Sequence, residues 1–318
     1  MKLIDMHCDT FWLMMRDDSI CLEKNELCID VQKLKKANSM AQFFASFVNL
    51  GDFQGENAIE DSYQCAKKMI AHGKTEIDKN DIAIVYNYVD LLENQKQEKI
   101  SAVLTLEEGG VVNGKMEYLE ELYQQGIRLI TLTWNHENCI GFPNSRDEKE
   151  MQKGLKPFGI EVVERMNELG MIIDVSHLSD GGFWDVIRCS KKPFVASHSN
   201  ARMLCNHPRN LTDDMIKAIA QSGGAVGVNF YPYFLNENGR ATVEDIANHA
   251  WHMYDVGGED VVAIGTDFDG FDEGTLDIAN ISEMNYVFEA FLKRGFTERQ
   301  LDKIQNKNIL RVMREQEG

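Results

Sequence analysis

Four of the eight histidines, His7, His136, His177 and His198, each follow a short apolar run, and carboxylates gather at the same kind of position: Asp9, Glu107, Glu108, Asp267 and Asp269. Neutral imidazole and carboxylate together suit Zn²⁺ or a similar divalent ion. A set with several carboxylates and no cysteine can hold two ions, one carboxylate bridging them. Two ions about 3.5–4 Å apart turn a water into a hydroxide and polarise a carbonyl or phosphoryl oxygen. His7 and Asp9 form an H-x-D pair, and extended backbone aims residues i and i+2 to one side. Each piece alone has an ordinary explanation: His177 as a core histidine, Glu107 and Glu108 as caps of a turn, Asp267 and Asp269 as loop carboxylates. All of these would have to hold at once on one face, so the combination favours a metal site. His249 and His252, three apart on an expected helix, read as structural, His72 as solvent-facing, and His207 as a loop residue or one behind the site.

The elements that must position this set are eight apolar runs: 2–6, 41–48, 101–107, 127–133, 171–176, 193–197, 224–230 and 261–266. They are short, rich in Val, Ile, Leu and Phe, and mostly do not alternate, as parallel strands covered on both faces do not. Amphipathic stretches separate them, including 56–72, 116–125, 157–169, 212–222 and 242–256. Thr212 followed by Asp213 and Asp214 is a helix start, and Gly126, Gly170 and Gly223 each end a helix before the next strand. Eight strands alternating with helices predict an α/β fold, a (β/α)8 TIM barrel with extra helices. An open doubly wound sheet is the alternative, but no G-x-G-x-x-G follows any strand. We expect one domain over residues 1–318, with a helical insertion around 56–100 and C-terminal helices in 283–315. In a barrel the functional face lies at the C-terminal ends of the strands, where the candidate residues fall.

Charge narrows the partners. Lys and Arg number 33 against 51 Asp and Glu, a net charge of −18 over 318 residues. This disfavours nucleic acid, whose binding neutralises phosphates, and an anionic membrane surface. No apolar stretch approaches the ~18 residues of a membrane-spanning helix. The seven cysteines are odd in number and form no C-x-x-C pair. A disulfide framework is therefore not expected and a reducing, cytoplasmic compartment is.

Motifs along nearly the whole chain resemble the membrane (renal) dipeptidase family of zinc peptidases in its bacterial cytoplasmic form. They are IDMHCDT (4–10), LEEGG (106–110), ITLTWNHEN (130–138), IIDVSH (172–177), ASHSNAR (196–202), NHPRNLTDD (206–214), GVNFY (227–231) and GTDFDG (265–270). The resemblance implies two divalent ions, zinc by default, with His7 and Asp9 as ligands of one and His177 and His198 of the other. Glu108, directly before Gly109-Gly110, is implied as the bridging carboxylate, with Glu107 its neighbour. Arg209 is implied to bind the substrate carboxylate, Tyr231 to line the substrate pocket, and Asp267 to act as acid and base beside the metals. One position departs. Relatives often carry a histidine directly after T-L-T of the fourth strand, where it contacts the substrate carbonyl. Here Trp134 follows Thr133, and His136 is the nearest histidine and the candidate for that role.

The implied reaction is hydrolysis of a dipeptide with both termini free, and the implied assembly is a homodimer. Two alternatives remain at this level. One is another binuclear-metal amidohydrolase, such as a cyclic amidase, deaminase or phosphotriesterase. Many of these bridge their metals with a modified lysine at the end of strand four, and no Lys lies in 130–138. The other is a metal-binding barrel that has lost catalysis.

Overall fold

The computed structural model describes residues 2–317. Eight parallel strands close into a barrel: β1 (Leu3–Asp5), β2 (Ser39–Phe47), β3 (Ile100–Glu107), β4 (Ile127–Thr131), β5 (Ile172–Asp174), β6 (Val195–Ala196), β7 (Ala225–Val228) and β8 (Val262–Ile264). Each pairs with its sequence neighbours, β8 pairs with β1, and β2 pairs with β3 over seven residues, from Ala41 opposite Ser101 to Phe47 opposite Glu107. All eight expected strands are present, and the open-sheet alternative is excluded by this closure.

The apolar runs lack alternation because both strand faces are covered. On β3, Leu104 and Leu106 belong to the apolar layer between strands and helices, while Val103 belongs to a separate cluster inside the barrel. That inner cluster includes Ile4, Met6, Phe43 and Leu129, and is plugged from below by Ile309 and Val312 of the helix Asn308–Glu315. Helices cover the outside, among them Met116–Gln124, Pro157–Leu169, Asp213–Gln221 and Val243–Gly257. Thr212 caps its helix by accepting from the Met215 N–H, as the sequence signal requires. Gly170 ends Pro157–Leu169 in the left-handed region, at φ +71°, where a Cβ would be strained.

The insertion is not wholly helical. Helices Ala58–Asp78 and Tyr88–Lys96 flank a short strand, Ile82–Ile84, that pairs with the start of β3. The C-terminal stretch is broken at Gly295 as expected, but its second part comprises Glu298–Asp302, a π-helical turn Lys303–Lys307, and Asn308–Glu315.

Candidate active site at the strand ends

Five polar residues from distant parts of the chain converge at the C-terminal mouth, all buried: His7, Asp9, Glu107, His177 and His198. Glu107, the last residue of β3, is central. Its Oε2 lies 3.5 Å from His7 Nε2, which is 3.3 Å from Asp9 Oδ2. Its Oε1 lies 3.1 Å from His177 Nε2 and 3.5 Å from His198 Nε2. One carboxylate therefore faces two donor sets with one oxygen each. Asp267 Oδ1 stands 3.8 Å from His7 Nε2, and its Oδ2 accepts from Asn229 Nδ2 at 2.9 Å.

The backbone is strained where these side chains leave it. His177 and Asp267 sit at φ +67° and +62°, and Glu108 and Asp269 at +95° and +67°. Residues bearing a Cβ enter this region at a cost, and such residues cluster at functional sites. The twist at Glu108 separates the two neighbouring glutamates. Glu108 turns away from the cluster and accepts from Gly110 N at 2.8 Å, Trp134 N at 3.2 Å and Asn138 Nδ2 at 2.5 Å. Asn138 in turn donates to Leu132 O and accepts from Ile140 N and Gly141 N. Glu107, and not the Glu108 expected to bridge, therefore faces both donor sets, and Glu108 braces the loop after β4. Strand parity carries the signal: Val103, Thr105 and Glu107 share one face of β3, and Leu104 and Leu106 the other.

Two of the three imidazoles are oriented from behind. Ser197 Oγ donates to Asp174 Oδ2 at 2.6 Å and lies 2.7 Å from His198 Nδ1. With its own proton committed to Asp174, Ser197 can only accept from His198, which leaves the Nε2 lone pair facing the cluster. His177 Nδ1 lies 3.1 Å from Asn135 Oδ1, with the same consequence. Such outer partners fix the tautomer of ligating histidines. Gly227 and Gly265 make room beneath Ser197; a Cβ on either would fall within 2 Å of its carbonyl oxygen. Asn135, Ser197 and Asp174 escaped sequence reasoning because no spacing rule points to them.

Burial dominates the electrostatics. It raises Glu107 to about 8 and Asp267 to about 6, each helped by the charge of Asp9. It pushes His177 and His198 well below the ordinary histidine range. Burial would also lower His7, but Asp9 and Glu107 override it and hold His7 well above that range. Both ring nitrogens of His7 and Asp9 Oδ1 are buried without a hydrogen-bond partner. His177 Nε2 and His198 Nε2 face each other at 3.1 Å. Orphaned buried polar atoms and lone pairs aimed at one another are what a cation would satisfy. The donor sets His7–Asp9–Glu107 and Glu107–His177–His198 each offer atoms within 4.8 Å of one another. A nitrogen-and-oxygen set without sulfur fits zinc and related divalent ions.

Arg209 lies behind the cluster, buried, donating through Nη1 to Ser199 Oγ at 3.2 Å and through Nη2 to His198 O at 3.0 Å. Its Nε has no partner. Burial lowers its pKa to about 10, against the opposing charges of Asp267 and Glu107, so it remains a cation near neutrality. The Arg209 guanidinium stacks over Phe234, and Phe234 packs edge-on to Tyr231. Tyr231 and Phe234 line one cavity of about 580 Å³ together with Asp9, Glu107, His177 and Asp267. His136 is not brought to it. It is exposed, its Nε2 lies 3.1 Å from Asn49 Oδ1, and Trp134 and Asn135 line the cavity instead. Asp269 accepts from Thr10 Oγ1 and Cys28 N and serves the loop. His249 and His252 are structural as expected, one accepting from Ala201 N and the other beside Asp213. His72 is half-buried, with its Nε2 shielded from solvent.

The family model for membrane dipeptidase (peptidase family M19) matches residues 1–318. The chain belongs to this family. It is a metallo-dipeptidase, and the family replaces the cyclic amidase, deaminase and phosphotriesterase alternatives. An uncharacterized protein of the pqqA 5′ region of Klebsiella pneumoniae is 34% identical over 260 residues, 78% of this chain and 92% of that protein. An uncharacterized dipeptidase of Schizosaccharomyces pombe is 30% identical over 302 residues, 91% of this chain and 72% of that one. A metallopeptidase of Rhodobacter sphaeroides, solved with a phosphinate mimic of the dipeptide L-Ala-D-Ala, shares the fold with a TM-score of 0.89 at 24% identity, over 99% of each chain. No helix among the described residues is long and apolar enough to cross a membrane.

Proposed function

We propose that this metallo-dipeptidase acts on free dipeptides with two zinc ions, one held by His7, Asp9 and Glu107 and the other by Glu107, His177 and His198. The observation that carries the reading is Glu107, whose two carboxylate oxygens face separate donor sets: His7 and Asp9, with buried, unpartnered atoms, and His177 and His198, whose Nε2 atoms face each other at 3.1 Å. When bound, the two ions supply Lewis acidity, acidifying water and polarising the scissile carbonyl.

The chain supplies the rest. Asp267 Oδ1 faces the cluster while Asn229 holds Oδ2, so one oxygen is free to take a proton from the attacking water and pass it to the departing amine. Burial raises this carboxyl to about 6, near the range in which it can do both. Arg209 clamps the substrate carboxylate. Its Nε is the unused donor, and a guanidinium pairs with a carboxylate in a planar fork that an ammonium does not reproduce. Tyr231 and Phe234 wall the carboxylate end. A chain longer than two residues would carry its next amide where this clamp reads a carboxylate.

The test is a metal count on the purified protein followed by dipeptides offered as free acids and as C-terminal amides. Two zinc equivalents and a strong preference for the acid are expected. One equivalent or none would refute the two-ion assignment, and equal rates on acid and amide would refute the clamp.

A further inference from the structure

The cavity beside the cluster has two aromatic walls, and no ring contact joins them among the described residues. Tyr231, Phe234 and Phe271 form the first, with ring centroids 4.6 and 5.4 Å from Tyr231, and it runs to Arg209. Trp12, Phe47 and Trp134 form the second, with Phe47 at 5.7 Å from Trp12 and 4.8 Å from Trp134. The second wall meets the cluster where Trp134 lies 6.2 Å from the His177 ring. It does no proton or ligand chemistry, yet it is firmly built. The Trp134 backbone N–H donates to Glu108, which Asn138 and Gly110 grip from the other side. Large apolar faces held against an open cavity are a place for an apolar side chain.

Direction follows from the carboxylate clamp at Arg209, on which this inference rests. Successive Cα atoms are about 3.8 Å apart. A dipeptide anchored at Arg209 sets its second residue against the Tyr231 wall and its first residue past the scissile carbonyl, toward Trp134. We propose that Trp134, with Phe47 and Trp12, is the specificity wall for the side chain of the first residue, so that the enzyme favours dipeptides beginning with an aromatic or large aliphatic residue. An aromatic ring there gains apolar burial and offset or edge contacts with the indole.

The experiment measures kcat/KM of the zinc-loaded enzyme on Phe-Ala, Ala-Ala and Ala-Phe, with the second residue of either hand, each as acid and as amide. We expect Phe-Ala to exceed Ala-Ala by at least about ten-fold. In Trp134→Ala and in Phe47→Ala this ratio should fall to within about three-fold, whereas Trp134→Phe, which keeps a ring, should retain most of it. Two substitutions guard against one failing to fold, and circular dichroism checks each. A Phe-Ala to Ala-Ala ratio near one in the parent, or one unmoved by both alanine variants, overturns the wall. So does a gain seen with Ala-Phe in place of Phe-Ala. Failure of the clamp has a different signature, amides cleaved as fast as acids, and removes the direction on which the assignment depends.

Discussion

The two ends of the barrel are made by the same eight strands and hold opposite interiors. At the N-terminal end, Ile4, Phe43, Val103 and Leu129 pack against Ile309 and Val312, with apolar atoms against apolar atoms. At the C-terminal end, three histidines and three carboxylates crowd together, and several of their polar atoms find no partner in the chain. The lower end is where the protein gains stability. The upper end opposes stability, because buried charge and left-handed backbone are unfavourable unless something binds. A fold that separates the two can vary its mouth without losing its plug.

Substitutions at the mouth should cut activity most. Glu107→Ala should lower kcat by a factor of about 1,000 or more, in the range for removing a centre of charge stabilisation, and zinc content should fall with it. Glu108→Ala, one residue away, should keep the metals and lower the melting temperature. Equal loss of zinc in both would break the distinction between the glutamates. Asp267→Asn should slow turnover by about 100- to 10,000-fold with metals still bound, and a near-parental rate would take it out of proton transfer. Ser197→Ala should weaken zinc by about 10- to 100-fold. Isothermal titration should show that change confined to one equivalent, because Ser197 supports His198 and not His7.

At the plug the effects change kind. Ile309→Ala should destabilise the protein by about 2–5 kcal/mol, read by denaturant unfolding, with kcat unaltered. A fall in kcat there would show that the ends are coupled. A subtler effect concerns pH. Burial raises Glu108 to about 7 from an ordinary 4.5. The folded chain favours its protonated form more than the unfolded chain does, so its contribution is full below about 4.5 and is lost as pH rises through about 7. The melting temperature of the metal-free protein should decline across that window, and Glu108→Gln should flatten the decline.

Much of this was legible because strand and helix signals are local. The eight apolar runs and the glycines that end helices specify the barrel, and His7, Asp9, His177, His198 and Asp267 lie at strand ends where residue type alone marks them. The choice between Glu107 and Glu108 hung on strand parity and a φ of +95°, which only the folded chain displays. His136 looked apt by residue type and proximity, but the loop braced by Glu108 turns Trp134 and Asn135 to the cavity and leaves His136 beside Asn49. The strand Ile82–Ile84 was missed because three residues carry too little periodicity to stand out among helical neighbours.

Asp267 combines a left-handed backbone with a carboxylate pressed toward Asp9. Glycine at this position would relax the loop and remove the repulsion together. The metal-free Asp267→Gly protein should therefore gain backbone freedom at the loss of the Asn229 hydrogen bond and the His7 contact, with turnover reduced as in Asp267→Asn. A carboxylate held at a left-handed position is backbone strain kept for the side chain, the mark by which candidate functional positions are recognised.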